Sequence, residues 1–597
     1  MRRLVAGCYS FCGLFRIKTK NKPVSERLHR DTPCNSEAMK TTFRLIRLAF
    51  LWGYLATAAL YGQDLEQIGS AQSSVHGQLQ VGNDFYGAQG IDPRRAPYTG
   101  VISGQITFNI KGISLPFSFV YGNRNKSFRQ PFNRLGLSPR YKWITLHAGY
   151  RNIRFSKYVM GGHTMLGVGV ELNPGKFRFG FLYGRLKRAT NRAVHVFSPV
   201  NDTLMDFDRQ MMSLKIGFGS AKTFLDLNVL RACDDSLHVD TAFKKQGVFP
   251  AANLVTGLHG RWQMGKHLYL ETEGAVSLFT HNTQSLIPVK DVPSSLDGLL
   301  PVNGSSTLKT AVETSLQYKS KKGWRIGLHY RRIDPDYRSM GTYFMQNDLE
   351  DLRLQTSFGL GQKRWQISAS LGLSHNNLQP LRKATTYKTI GSLQLNYRAP
   401  KLWGFQFRYA NYSVNQQAGR IQIADSVKMY QTNGSLMWAP YMQWSSARRN
   451  RHHFLHLTLM QMQLIDHRPQ DRAAQAFTTY TAMLSYRLSW SKTGWSTGLA
   501  LHHTQVSTIA GLTRNQGVTW SLDKRFVKQK ISVGGRLTFM QQQTPAGPLQ
   551  TFAPVLRARI PLGKHHSLQL RANLIALDGP DRTGTEETGR IAYVFQF

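Results

Sequence analysis

The residues best placed to do chemistry are arginines set one apart from apolar neighbours. Arg178, Arg325, Arg408, Arg487, Arg536, Arg557, Arg559, Arg571 and Arg590 each adjoin an aliphatic or aromatic residue on at least one side. A guanidinium stays charged at every physiological pH, and its fork of N–H donors matches carboxylate and phosphate. Such groups on one shared face would concentrate anions and repel cations. Arginine can also simply fill a polar face, bonded to Gln, Ser, Tyr and backbone, and residue type alone leaves both readings open.

A second constellation is acidic: Asp334, Asp336, Asp348, Glu350 and Asp351 crowd one stretch of a chain with only 33 Asp and Glu. Hard oxygen ligands suit Ca²⁺ or Mg²⁺. The spacing fits no EF-hand loop and Arg338 sits among them, so Asp334, Asp336 and Asp348 are a weak metal candidate beside a salt-bridged loop. His453 and His456 lie three apart, facing opposite ways on a strand, which does not make a shared metal site. The chain has no nucleophile elbow, glycine-rich phosphate loop or zincin helix, so neither an enzyme nor a cofactor is expected.

Periodicity says what must position these residues. Segments of about ten residues with alternating hydrophobicity recur almost without interruption, as in membrane-spanning strands. From Trp365 to Leu373, for example, Trp365, Ile367, Ala369, Leu371 and Leu373 alternate with Gln366, Ser368, Ser370 and Gly372. The expectation is an all-β protein, a transmembrane antiparallel β-barrel of about 24 strands, with a range of roughly 20 to 28. From residue 172 onward short and long links alternate, which predicts short periplasmic turns and long extracellular loops. The aliphatic and aromatic face would then meet lipid, and the nine arginines would line the lumen. A lipid-facing arginine at the midplane would cost about 2–4 kcal/mol.

The chain has 76 Lys and Arg against 33 Asp and Glu, a formal charge of +43. Such an excess favours an anionic partner, either lipopolysaccharide phosphate or an acidic solute. The basic residues are dispersed and no helix-turn-helix, zinc-finger or stacking motif accompanies them, so nucleic acid is not expected. Beyond the N-terminal region no apolar run is long enough for a membrane helix. Residues 39–62 read as a secretory signal: Lys40, Arg44 and Arg47, then an apolar run from Leu48 to Leu60, then small residues. Residues 1–38 read as an upstream extension, 63–97 as a short N-terminal periplasmic segment, and 98–597 as the barrel.

Link 123–141 breaks the alternation, being long on the side of the short turns. It carries Arg124, Lys126, Arg129, Arg134 and Arg140 and nothing acidic. A wide barrel needs filling, so this link is expected to fold back into the lumen as a partial plug.

The closing segment from Gly589 to Phe597 alternates Ile591, Tyr593, Phe595 and Phe597 with Arg590, Ala592, Val594 and Gln596. It resembles the last strand of bacterial outer-membrane barrels, and that resemblance makes Tyr593, Phe595 and Phe597 the signal read by the barrel-assembly machinery. Arg590 would point inward. The stretches from Gln130 to Thr145 and from Arg332 to Tyr343 resemble segments of large Bacteroidota outer-membrane barrel proteins of unassigned activity. The resemblance implies a Gram-negative outer membrane and its lipid as surroundings, and transfers no functional residue. The chain departs from TonB-dependent receptors, because only the short stretch 63–97 precedes the first expected strand. Two functions stand as expectations: a porin-like channel or transporter for anionic or polar solutes, or a non-conducting structural or secretion barrel that anchors a surface or periplasmic partner.

Overall fold

The computed structural model describes residues 73–123, 134–193, 203–235, 248–289, 299–362, 364–400, 402–418, 429–446, 450–467, 476–526, 530–544, 547–580 and 583–597. Two compact units divide the chain. One comprises Met1–Gln63 and Val289–Val302, and little of it lies within the described residues; the other, Asp64–Pro288 with Asn303–Phe597, is the barrel. The expected signal (39–62) and upstream extension (1–38) lie outside the described residues.

The barrel is a 27-stranded antiparallel sheet closed on itself, with a separate hairpin of Thr190–Ala193 and Thr203–Asp206. Closure comes from the first strand, Ser74–Gln89, which pairs on one side with Tyr98–Ile110 and on the other with the last, Gly584–Gln596. Two short pieces, Arg134–Leu137 and Arg140–Tyr141, share one place in the wall between Ile113–Gly122 and Ile144–Arg154. The wall is therefore 26 strands around. Among the described residues closure leaves the wall no unpaired edge, so its strands can exchange backbone hydrogen bonds with neighbours on both sides.

The wall thus has two strands more than the 24 or so expected from sequence. Ser74–Gln89 lies in the stretch read as a short N-terminal segment. The other addition corrects the plug assignment. Arg134–Leu137 pairs with Phe117–Val120, and Arg140 stands opposite Ser114 and Thr145, so this part of link 123–141 is barrel wall. With that strand counted, the link before it moves to the opposite end of the barrel, and the break in alternation disappears. Arg124, Lys126 and Arg129 lie outside the described residues, as does the side chain of Arg134; Arg140 is exposed on the wall.

One end of the barrel turns tightly. Lys111 and Gly112, Gly175, Gly265, Gly323, Gly361, Gly494 and Gly563 all have positive φ at links on the end where Phe597 lies. Along the wall, Gly136, Gly149, Gly167 and Gly184 stand opposite one another across four successive strand positions. A Cβ on Gly167 would sit 2.1 Å from the Tyr183 carbonyl oxygen. Only glycine allows the strands this approach.

The outer face is apolar and uncovered. Leu371 and Leu373, Leu499 and Leu501, Val533 and Leu537, and Leu556 are all exposed. Their neighbours along the chain, such as Ser370 and Gly372, fall on the other face and are small or polar. This alternation is the period of two along each strand.

Candidate functional site

Residues directly opposite in an antiparallel pair share a face, so strand register traces the inner surface around the wall. Glu273 stands opposite Glu313, Glu313 opposite Arg331 and Arg331 opposite Asp351. Arg325 lies on this face. Ser370, Ser392 and Ala410 continue it, and with them Arg408. Farther on, Arg487, Gly498, Ser521 and Arg536 form one row, and Arg557, Arg571 and Arg590 another. On the near side, Arg178 opposes Gly217, which opposes Asp226. Register thus places Arg178, Arg325, Arg408, Arg487, Arg536, Arg557, Arg559, Arg571 and Arg590 on one face.

That this face is the inner one is decided by two links that pack on it. Residues 155–160 and 334–348 leave the wall and meet each other. Met160 and Gly341 form a parallel β-bridge, and the Gly161 amide donates to the Gly341 carbonyl at 3.0 Å. The Tyr337 hydroxyl donates to the Tyr158 carbonyl (2.9 Å) and Ser339 Oγ to the Val159 carbonyl (2.6 Å). Tyr158, Val159 and Met160 are fully buried, in one core with Met165, Leu182, Met211, Leu230, Val255, Ala275 and Ala311. Those partners come from seven successive wall strands, which only a concave surface can bring onto one small cluster. The folded-in pair of links forms a latch.

Polar groups of the wall hold it. Glu273 accepts hydrogen bonds from Ser156 Oγ and from the backbone amides of Lys157 and Tyr158. Glu313 receives the Lys157 ammonium, the Tyr158 hydroxyl and, at 2.9 Å, His329 Nε2. Asn253 Oδ1 accepts the Met340 amide at 2.9 Å, and Ser277 Oγ donates to the Arg338 carbonyl at 2.6 Å. Burial first, then the Glu313 carboxylate, pushes the Tyr158 phenol far above its ordinary range, so it remains a donor. Gly341 is required by the close approach of the two links. A Cβ there would lie 2.4 Å from the Val159 carbonyl oxygen and 2.9 Å from Leu230 Cδ2. Gly341→Val should separate the links, and the Gly161 and Met340 amides should lose hydrogen-exchange protection while wall amides keep theirs. Unchanged protection at both amides would contradict the packing described.

Of the acidic cluster, Asp334, Asp336 and Asp348 lie on a latch link, while Glu350 and Asp351 are on the wall strand Leu349–Leu360. Asp334 Oδ2 accepts the Thr310 amide (2.8 Å) and hydroxyl (2.6 Å). Asp348 Oδ1 accepts the Leu378 amide at 2.9 Å, and its other oxygen meets Arg382 Nε at 2.5 Å. Asp351 pairs with Arg331 and Arg353, both at 3.2 Å; Glu350 accepts the Tyr330 hydroxyl at 2.8 Å. Asp336 occupies a turn position at φ 59°. Among the described residues no group of His, Cys, Asp or Glu is arranged to hold a metal ion. Asp334 and Asp348, two of the three carboxylates in the weak metal candidate, here cap backbone amides, and Asp348 also pairs with Arg382.

The two arcs of the inner face differ in how far their cations are exposed. On the latch side three cations are clamped: Arg178 binds Asp226 through two hydrogen bonds (2.7 and 2.9 Å), Arg209 binds Asp234 likewise (2.7 and 3.0 Å), and Lys215 meets Glu171 at 3.0 Å, while Arg151 donates to Ser118 Oγ at 3.3 Å. On the far side Arg487, Arg557 and Arg590 have half or more of their side-chain surface exposed, at 60%, 59% and 52%. Arg408, Arg536, Arg559 and Arg571 are exposed as well. Several of these border an open recess of about 1090 Å³ lined by Arg487, Asp523, Arg525, Arg557, Arg559, Arg571 and Arg590.

At the seam, Arg590 lies opposite Asp84, with Nε 3.7 Å from Oδ1. Of the three aromatic residues expected to serve as an assembly signal, Phe595 stacks on His566 at 4.6 Å and packs beside Phe597 at 4.9 Å. The Tyr593 hydroxyl is bonded to His566 Nδ1 at 2.5 Å. Sequence reasoning missed the latch residues Tyr158, Glu273, Glu313 and Tyr337. The nearest available signal was the resemblance of the stretch from Arg332 to Tyr343, which supplies one of the two links.

No family model and no curated protein matches the chain. Among solved structures the chain is similar to the P pilus usher (PapC) translocation pore, 9% identical with a TM-score of 0.37, covering 87% of this chain and 99% of that one. Pseudomonas aeruginosa OccK11 (OpdR) is 13% identical with a TM-score of 0.29, covering 58% and 91%. Acinetobacter baumannii OccAB3 is 9% identical with a TM-score of 0.30, covering 64% and 99%. Likeness at this level says nothing of activity, which has to be argued from the chain's own geometry.

Proposed function

We propose that this protein is an outer-membrane channel or transporter for anionic or polar solutes, with the solute path along the exposed arginine arc. The observation that carries the reading is the contrast between the two arcs of the inner face. One is covered by a buried, hydrogen-bonded latch with Arg178, Arg209 and Lys215 clamped to carboxylates; the other presents arginines to open space. Exposed guanidinium groups along a passage raise the local concentration of anions.

The membrane setting is supported by the outer face. Singly exposed apolar residues are ordinary on soluble proteins, but a continuous belt of this extent is not. A hydrocarbon layer is the environment in which such a belt is favourable, and a closed barrel satisfies its own backbone there. The tight turns on one end, with the links that interrupt them lying on the other, support periplasmic turns and extracellular loops. In this reading the latch links 155–160 and 334–348 are extracellular loops folded inward. Lipid and lipopolysaccharide would surround the outer face, and the barrel-assembly machinery would insert the chain.

The latch also gives the second reading its support. A lumen partly filled by a folded core suits a structural or secretion barrel that holds a surface or periplasmic partner. Planar-bilayer recording from refolded protein separates the two. Steady ohmic current at low voltage supports the channel. A folded, monodisperse barrel that carries no current, and that retains one dedicated protein from native membranes, supports the second reading.

A further inference from the structure

We infer that the row Arg557, Arg571 and Arg590 is a binding subsite for a multiply charged oxyanion, a polycarboxylate or phosphate, centred on Arg571. The inference deepens the channel reading by naming a ligand class and a place, and rests on that reading only for how the ligand arrives.

Strand register builds the row. Arg557 stands directly opposite Arg571, and Arg571 directly opposite Arg590, on three adjacent strands. Directly opposed residues have Cβ atoms about 4.5–5.5 Å apart, and like charges in that position are destabilising. The row continues to an aspartate at each end, Asp523 beyond Gly534 on one side and Asp84 on the other. Arg557 Nη2 meets Asp523 Oδ1 at 2.7 Å, and Arg590 reaches Asp84 at 3.7 Å. The two outer arginines are thereby balanced. Arg571 is not: its Nε donates to the amide oxygen of Asn573 at 2.9 Å, and among the described residues it meets no carboxylate.

Asn573 is itself held, donating to Thr588 Oγ1 at 2.8 Å, which fixes how the Arg571 fork is presented. One step along the strands, Arg559 and Arg525 face the same recess, from either side of Ser532. The recess therefore gathers more guanidinium groups than carboxylates around one uncompensated fork. An oxyanion with two or more charges would remove the repulsion and fill the fork bidentately. The recess volume, about 1090 Å³, admits a ligand larger than a simple inorganic ion.

The test is isothermal titration of the folded full-length barrel in detergent with sodium citrate and, separately, with pyrophosphate, at low ionic strength because screening weakens such contacts. Saturable binding of either anion is expected, and the stronger of the two identifies the carboxylate or the phosphate as the ligand chemistry. Arg571→Gln should weaken that binding roughly tenfold or more, and Arg571→Lys should recover only part of it, because a lysine lacks the planar fork. Asp523→Asn, which frees Arg557, should tighten it. Absence of saturable heat with both anions, or an affinity unchanged in Arg571→Gln, would overturn the subsite. Binding in detergent by a barrel that carries no current would overturn the channel reading and leave the subsite standing. Anion-selective current without saturable binding would do the reverse.

Discussion

Tyr158→Ala is expected to open the lumen, raising single-channel conductance severalfold while the wall stays folded. Tyr158 is fully buried, packs edge-on against Tyr337 at 6.3 Å and donates its hydroxyl to Glu313. Truncating a buried aromatic of this size costs about 3–5 kcal/mol. That loss falls on the latch rather than on the wall, because the wall strands are bonded to each other independently of it. A latch held by one small core and a few hydrogen bonds has no other element of comparable size to retain it. Its release would uncover Glu273, Glu313 and the inner face of the strands from Gly161 to Ile333. The measurement is single-channel recording beside a gel assay of the folded fraction. Unchanged conductance in a folded variant would mean that the latch does not narrow the path.

The second large effect is expected at Arg178. Its guanidinium holds Asp226 with two hydrogen bonds and lies 4.2 Å over the Phe224 ring. Asp226 is 1% exposed. Arg178→Gln leaves that carboxylate buried without a countercharge, and removing one partner of a buried pair costs about 3–5 kcal/mol. The folded barrel should unfold at clearly lower urea concentration, and Asp226→Asn in the same chain should restore much of the loss, since it removes the orphaned charge. An equal loss in single and double variants would show that the pair contributes through packing instead. Arg178 was singled out on sequence grounds as a lining residue; its place in the structure makes it a wall clamp, unlike Arg487 or Arg571.

Most of the barrel was legible in the chain because a strand with one apolar face writes its own period. The two strands that were missed show where that signal fails. Ser74–Gln89 dilutes its apolar face with Gly77 and Asn83 between Val75, Leu79, Val81 and Phe85. In the wall segment 134–141, Ser138 and Pro139 separate the two paired pieces, and a proline has no N–H to give the ladder. Its arginines suggested a plug, because nothing in the segment resembles a strand of ordinary length.

The latch left no sequence signal for a different reason. The latch joins Tyr158 to Tyr337 and Val159 to Ser339, residues about 180 positions apart, and no local pattern encodes such a meeting. The acidic cluster was visible, but its purpose was not. Asp334 and Asp348 cap backbone amides that become available only when link 334–348 folds onto the wall. The arginine face, by contrast, needed only parity. Arg557 and Arg559 are two positions apart, so they share a face in any strand. What parity could not supply is which arginines are neutralised, since Asp226, Asp523 and Asp84 reach them from other strands.

The central claim, that solutes pass along exposed arginines, is tested most directly by the reversal potential of the refolded barrel in a planar bilayer under a KCl gradient. The expected result is a reversal potential on the chloride side of zero, moving toward zero in the Arg408→Gln, Arg487→Gln double variant at unchanged folded fraction. A cation-selective current, or anion selectivity unmoved by the double substitution, would contradict it.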